Sequence, residues 1–165
     1  MKKLVLVGLL GLSSSLFAAG EIDYYLKAGA SNYSVDGGDS TVASSVRLGM
    51  DINKKNSSIY MNMEFGATTG EIDGLKLDSM VIQYNIGYKT NKTAVYGLFG
   101  INSENDIYLE GSYFYGLGMK YSVTKNLGLE AEYSIITSAS STSTTEPDSS
   151  QVGVFISYNF ATKTF

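Results

Sequence analysis

Glu130 and Glu132 lie two residues apart, and they are the first place to look for acid–base chemistry in this 165-residue chain. On an extended strand such a pair shares one face at roughly 7 Å, a separation that suits a general acid and its base. It suits two arms of an ion-pair network equally well. The sequence supplies the other arms in Lys27, Arg47, Glu64, Glu110 and Lys120. There is no His and no Cys. That removes imidazole-dependent triads, His or thiolate metal sites, disulfides and a lipid-modified cysteine. Gly116-x-Gly118 falls inside an alternating run rather than between a strand and a helix, so it reads as a strand feature, not a phosphate cradle. With no nucleotide loop, metal motif or nucleophile elbow, we assign no catalytic residue, no cofactor and no metal. The seven charged residues read as a structural network, in which Arg47 and Lys120 meet some of Glu64, Glu110, Glu130 and Glu132.

These side chains come together only if the elements that carry them share one interior. The dominant pattern is alternation with period two, which sends successive side chains to opposite faces of a strand. From Ile107 to Val123 the apolar set Ile107, Leu109, Tyr113, Tyr115, Leu117, Met119, Tyr121 and Val123 opposes a polar or small set that includes Glu110, Ser112, Gly116, Gly118 and Lys120. Val46, Leu48 and Met50 oppose Arg47, Gly49 and Asp51; Met61, Met63 and Phe65 oppose Asn62 and Glu64. Leu129, Ala131 and Tyr133 oppose Glu130 and Glu132, and Leu26 and Ala28 oppose Lys27. Segments 80–88 and 152–160 alternate in the same way. Residues 93–101 form a further strand whose faces are ambiguous, because both are apolar. The pattern predicts eight strands, several of about 10 residues or more, the length a tilted bilayer-spanning strand needs.

Connections 35–41, 67–75, 102–106 and 138–150 read as long loops, and 53–58, 90–92 and 124–126 as short turns. Acidic residues fall in the long set (Asp36, Asp39, Glu71, Asp73, Glu104, Asp106, Glu146, Asp148), lysines in the short set and its flanks (Lys54, Lys55, Lys89, Lys92, Lys125). Tyr24, Tyr88, Tyr96, Tyr121, Tyr158 and Phe160 fall near the short-turn ends, where amphipathic rings suit a membrane interface. The N-terminus reads as an export leader: Lys2 and Lys3, an apolar run Leu4–Leu12, then Ala18 and Ala19 for cleavage. Taking Ala18 as the cut gives a leader 1–18 and a barrel domain 19–165. Loss of two lysines from 12 basic against 16 acidic residues moves the net charge from −4 to −6. No basic patch remains for nucleic acid.

Alternation alone does not say which face meets lipid. A secreted, lipocalin-like barrel would point the apolar face inward. Long strands, a broad apolar face and an opposite face of Gly, Ser and mixed charges favour the inverted arrangement: an all-β, eight-stranded, antiparallel up-and-down transmembrane β-barrel. Eight strands leave an interior just wide enough for side chains to fill.

The most specific local pattern is Gly153-Val-Phe-Ile-Ser-Tyr-Asn-Phe160. It resembles the terminal β-signal of outer-membrane proteins, with Gly153, Tyr158 and Phe160 as its marks; Ala161–Phe165 follow where that family usually stops. The mature chain resembles the small-barrel family of the OmpA transmembrane domain, OmpX and the opacity-type proteins. The resemblance implies residence in the outer-membrane lipid and insertion by the barrel assembly machinery. The expected role is a structural barrel presenting surface loops. The alternatives are a narrow porin-like channel, or an adhesin acting through loops 35–41, 67–75 and 138–150 toward an unknown surface ligand. Outer-membrane enzymes of similar shape use His, which this chain lacks.

Overall fold

β-branched and aromatic residues favour the pleated, half-buried surface of a sheet, and each alternating segment contributes a strand among the described residues. The computed structural model describes residues 20–35, 40–54, 56–72, 75–104, 112–137 and 149–165. The strands are β1 (Glu21–Val35), β2 (Ser40–Asn53), β3 (Ile59–Ile72), β4 (Leu75–Lys89), β5 (Thr93–Glu104), β6 (Ser112–Ser122), β7 (Leu127–Thr137) and β8 (Ser149–Thr164). Each pairs antiparallel with its sequence neighbours, and β8 returns to β1, so the sheet closes as a barrel. Closure pairs the backbone around the whole circumference, which a β structure needs in a medium without water. The shortest strands, β6 and β7, have 11 residues, long enough for a tilted bilayer span.

The faces sort as the alternation requires. Val42 and Leu117 are 66% exposed and Val154 62% exposed on the outside, while Lys27 and Glu64 are fully buried within. An apolar exterior around a charged interior inverts the soluble arrangement. The interior parity also resolves β5: Ala94, Tyr96, Leu98 and Asn102 point inward, and Val95, Phe99 and Ile101 outward.

The connections differ from expectation. β3 runs to Ile72 and β4 starts at Leu75, so the expected loop 67–75 shrinks to 73–74. Thr68, Thr69 and Ile72 of that stretch are good strand formers. Thr68 pairs with Ser79 and Thr69 with Asp78, and the Thr69 hydroxyl donates to Asp78 Oδ1 at 2.7 Å. The first loop likewise contracts to 36–39, and β5 extends to Glu104. Only 105–111 and 138–148 remain longer than the opposite turns 54–58, 90–92 and 123–126. The expected strand 107–123 is described from Ser112; Ile107–Gly111, and with them Glu110, lie outside the described residues, as does the expected leader 1–18.

β8 is longer than the sequence pattern suggested. Tyr25 pairs with Asn159 but Tyr24 with Ala161, which leaves Phe160 as the extra residue of a β-bulge. A bulge moves later side chains out of step. That is why Ala161 and Lys163 break the alternation although they continue the strand beside Glu21–Tyr24.

Candidate functional site: the charged barrel interior

Inward positions on β1, β2, β3, β6 and β7 bring Lys27, Arg47, Glu64, Lys120, Glu130 and Glu132 into one cluster. Lys27 and Arg47 are direct cross-strand partners, a placement that repels unless counter-charges intervene. Here they do. Lys27 Nζ lies 2.9 Å from Glu64 Oε1, 3.0 Å from Glu130 Oε2 and 2.6 Å from Glu132 Oε1. Arg47 Nη1 lies 3.1 Å from Glu64 Oε2 and 3.2 Å from Glu132 Oε2, and donates to Gln83 Oε1 at 2.8 Å. The Phe155 ring adds an aromatic face to both cations, 4.6 Å from Lys27 Nζ and 4.9 Å from Arg47 Cζ.

The cluster extends toward the short-turn end through Lys120, which meets Asp51 at 2.8 Å and Glu130 at 3.5 Å. Three tyrosine hydroxyls satisfy remaining carboxylate lone pairs: Tyr25 to Glu64 at 2.8 Å, Tyr96 to Glu132 at 3.1 Å and Tyr60 to Asp51 at 3.0 Å. Asn62 donates to Asp51 at 2.8 Å and also bonds the Tyr25 hydroxyl.

Oxygens of Glu64, Glu130 and Glu132 lie within 4.8 Å of one another, close enough to hold a metal ion. The Lys27 ammonium sits among them and takes the place such a cation would fill. Chemically the arrangement is an internal salt, with its carboxylates already engaged by lysine, arginine and tyrosine.

Six of the seven expected network residues therefore meet. Glu110 lies outside the described residues. Lys27 makes the most carboxylate contacts of these residues, and Asp51 is a further partner that the expected set did not include. Asp51 shares its face with Arg47, so parity alone exposes it. Tyr25, Tyr60 and Phe155 are further members that parity does not reveal, because an inward aromatic looks like an error in a polar face until register is known; Gln83, on the polar face of β4, is uncharged and joins through Arg47. The rings fit because small residues make room beside them. Tyr25 pairs with Gly49 and Tyr96 with Gly118. A Cβ at either glycine would come within 2.2 Å of the facing ring.

Of the residues expected in an aromatic girdle, Tyr88, Tyr121, Tyr158 and Phe160 project outward and are exposed, and Tyr24 is half-buried on the same outer face. Tyr96 is a correction: it points inward and is 1% exposed, because β5 turns that parity to the lumen and Glu132 accepts its hydroxyl. Gly153 faces inward, while Tyr158 and Phe160 face outward, all on the strand that closes against β1.

Fold and interior together define a class: a small membrane-inverted β-barrel with a filled, ion-paired lumen. Residues 4–160 match the outer membrane protein beta-barrel domain family, and the chain belongs to that family. It is an outer-membrane protein whose apolar exterior sits in lipid. Its fold is similar to that of Ail, the attachment invasion locus protein of Yersinia pestis, with TM-score 0.54 and 17% identity over 86% of this chain and 99% of that one. Neisserial surface protein A gives TM-score 0.54 and 17% identity, covering 86% and 98%. A de novo designed transmembrane β-barrel gives TM-score 0.52 and 17% identity, covering 86% and 97%. No curated protein sequence matches the chain.

Proposed function

We propose that the protein is a closed, non-conducting and non-catalytic scaffold that carries the connections of one rim, above all 105–111 and 138–148, at the cell surface. The filled interior carries this reading. Lys27, Arg47, Glu64, Gln83, Glu130 and Phe155 are each 3% exposed or less, and they are bonded to one another across the lumen. Water-filled porins use about 16 to 18 strands, whereas eight leave room only for side chains. Glu130 and Glu132, the one candidate acid–base pair, are held by Lys27 at 3.0 and 2.6 Å, which leaves neither poised for a substrate.

In this reading the short turns face the periplasm and the longer connections the exterior, the usual orientation of such barrels. Residues 1–18 serve as the export leader. Gly153, Tyr158 and Phe160 mark the strand recognised by the assembly machinery, and Tyr24, Tyr88, Tyr121, Tyr158 and Phe160 anchor the periplasmic interface. The test is an epitope inserted within 138–148. Labelling on intact cells supports the orientation; labelling only after the outer membrane is opened contradicts it.

A second reading is adhesion through the same rim. The fold is similar to that of Ail in complex with the heparin analogue sucrose octasulfate, at TM-score 0.51 and 17% identity over 86% of this chain and 99% of that one. Here the rim sequences are acidic, with Asp36, Asp39, Glu104, Asp106, Glu146 and Asp148. They would repel a polysulfate, so a ligand of this rim would be cationic or uncharged. Deleting 138–148 with no loss of surface binding removes the adhesin reading.

A further inference from the structure

The barrel is filled at mid-height but open at its short-turn end. A vestibule of about 890 Å³ lies there, floored by Tyr60, Asp51 and Lys120 and walled by the turns. Its charge reverses that of the chain. The whole sequence has 12 basic and 16 acidic residues, yet five lysines (Lys54, Lys89, Lys92, Lys120, Lys125) line this mouth against three acids, Glu21, Asp23 and Asp51.

Two of those acids are already engaged. Asp51 accepts from Lys120, Tyr60 and Asn62. Asp23 accepts from Asn53 at 2.8 Å and from Thr162. Of the lysines, Lys120 is paired with Asp51 and Glu130, and Lys89 donates to Asn53. Lys54, Lys92 and Lys125 have no carboxylate partner among the described residues. They come from three different turns, 54–58, 90–92 and 123–126, so their positive charges surround the opening. Thr90, Thr93, Thr124, Asn91 and Asn159 add neutral hydrogen-bonding groups to the same wall. A rim of unpaired ammonium groups around a concave, polar pocket raises the local concentration of anions, and lysine is a good point-charge binder of phosphate.

We propose that this vestibule binds a phosphate-bearing anion, gripped by Lys54, Lys92 and Lys125. The source is either a soluble phosphate compound entering the mouth or an anionic phospholipid headgroup folding over the rim. Beyond the exposed rings of Tyr88, Tyr121 and Tyr158, the lysine turns stand at the level where headgroups lie.

The test follows backbone amide shifts of residues 90–92 and 123–126 in the refolded full chain. One arm titrates pyrophosphate into protein in zwitterionic micelles. The other compares nanodiscs of phosphatidylcholine alone with nanodiscs containing phosphatidylglycerol. Saturable shifts in the first arm identify a soluble ligand; shifts only with phosphatidylglycerol identify a headgroup. In either case K54Q/K92Q/K125Q, whose substitutions are all solvent-exposed, should weaken binding by about tenfold or more at an unchanged denaturant midpoint. Lys76→Gln, on β4 near the opposite rim, should leave it unchanged. No shift in either arm, or shifts that survive the triple substitution, overturns the proposal.

Discussion

Lys27 is the residue on which the interior turns. Its ammonium touches three carboxylates, and two of these, Glu64 and Glu132, also hold Arg47. A buried ion pair adds little net stability over an apolar pair, but removing one partner strands the other and costs roughly 3–5 kcal/mol. Lys27→Met leaves Glu64 and Glu132 to Arg47 alone and Glu130 with only the 3.5 Å contact to Lys120. Arg47→Met leaves Glu64 and Glu132 still bound by Lys27. We expect Lys27→Met to lower the urea midpoint of the refolded barrel clearly more than Arg47→Met does; equal losses would mean the cluster has no hub. The glycines give a second test. At Gly49 an added methyl meets the Tyr25 ring at 2.2 Å, whereas at outward-facing Gly97 the nearest atoms are 3.8 Å away. Gly49→Ala should cost about 1–3 kcal/mol by overpacking and loosen the Tyr25–Glu64 bond. Gly97→Ala should be close to neutral in the same titration.

At the scale of elements, the bulge at Phe160 lets β8 run four residues past the point where the apolar alternation ends. Ala161–Thr164 pair with Glu21–Tyr24 of β1, while β7 begins opposite Tyr158 and leaves their other edge open. The tail is held from one side only. At about 0.5–1.5 kcal/mol net per hydrogen bond, ending the chain at Phe160 should lower the unfolding free energy by on the order of 1–3 kcal/mol without blocking closure. A truncated chain that no longer folds would show that the tail belongs to the closing strand in a stronger sense. The strands themselves were legible in the sequence because period two is a local property: Leu117, Met119 and Tyr121 announce their face whatever they pair with. Register is not local. It decides that Tyr96 faces Glu132 instead of lipid, and nothing within β5 shows this, since both of its faces are apolar. It also places Lys27 beside Glu64 and Glu132, residues 37 and 105 positions away. The 67–75 stretch is a related case: Thr68 and Thr69 carry the strand through it by pairing with Ser79 and Asp78, which nothing within the segment shows.

The whole molecule is a barrel turned inside out relative to a soluble one. Val42, Leu117, Val154 and Tyr88, each 62–66% exposed, would form an aggregating surface in water and are at ease in lipid. Seven charged side chains among the described residues have withdrawn to the lumen, where three cations pair with four carboxylates. The two ends then differ: acidic connections on one rim, and a lysine-lined vestibule at the other that stops at Lys120 and Asp51. In the proposed scaffold the ion-paired layer between them separates the two mouths. Planar-bilayer conductance of protein shown to be folded tests this separation most directly. No unit conductance steps are expected from the wild type. Reproducible steps whose size changes with Lys27→Met would contradict it and make the interior a pathway instead of a plug.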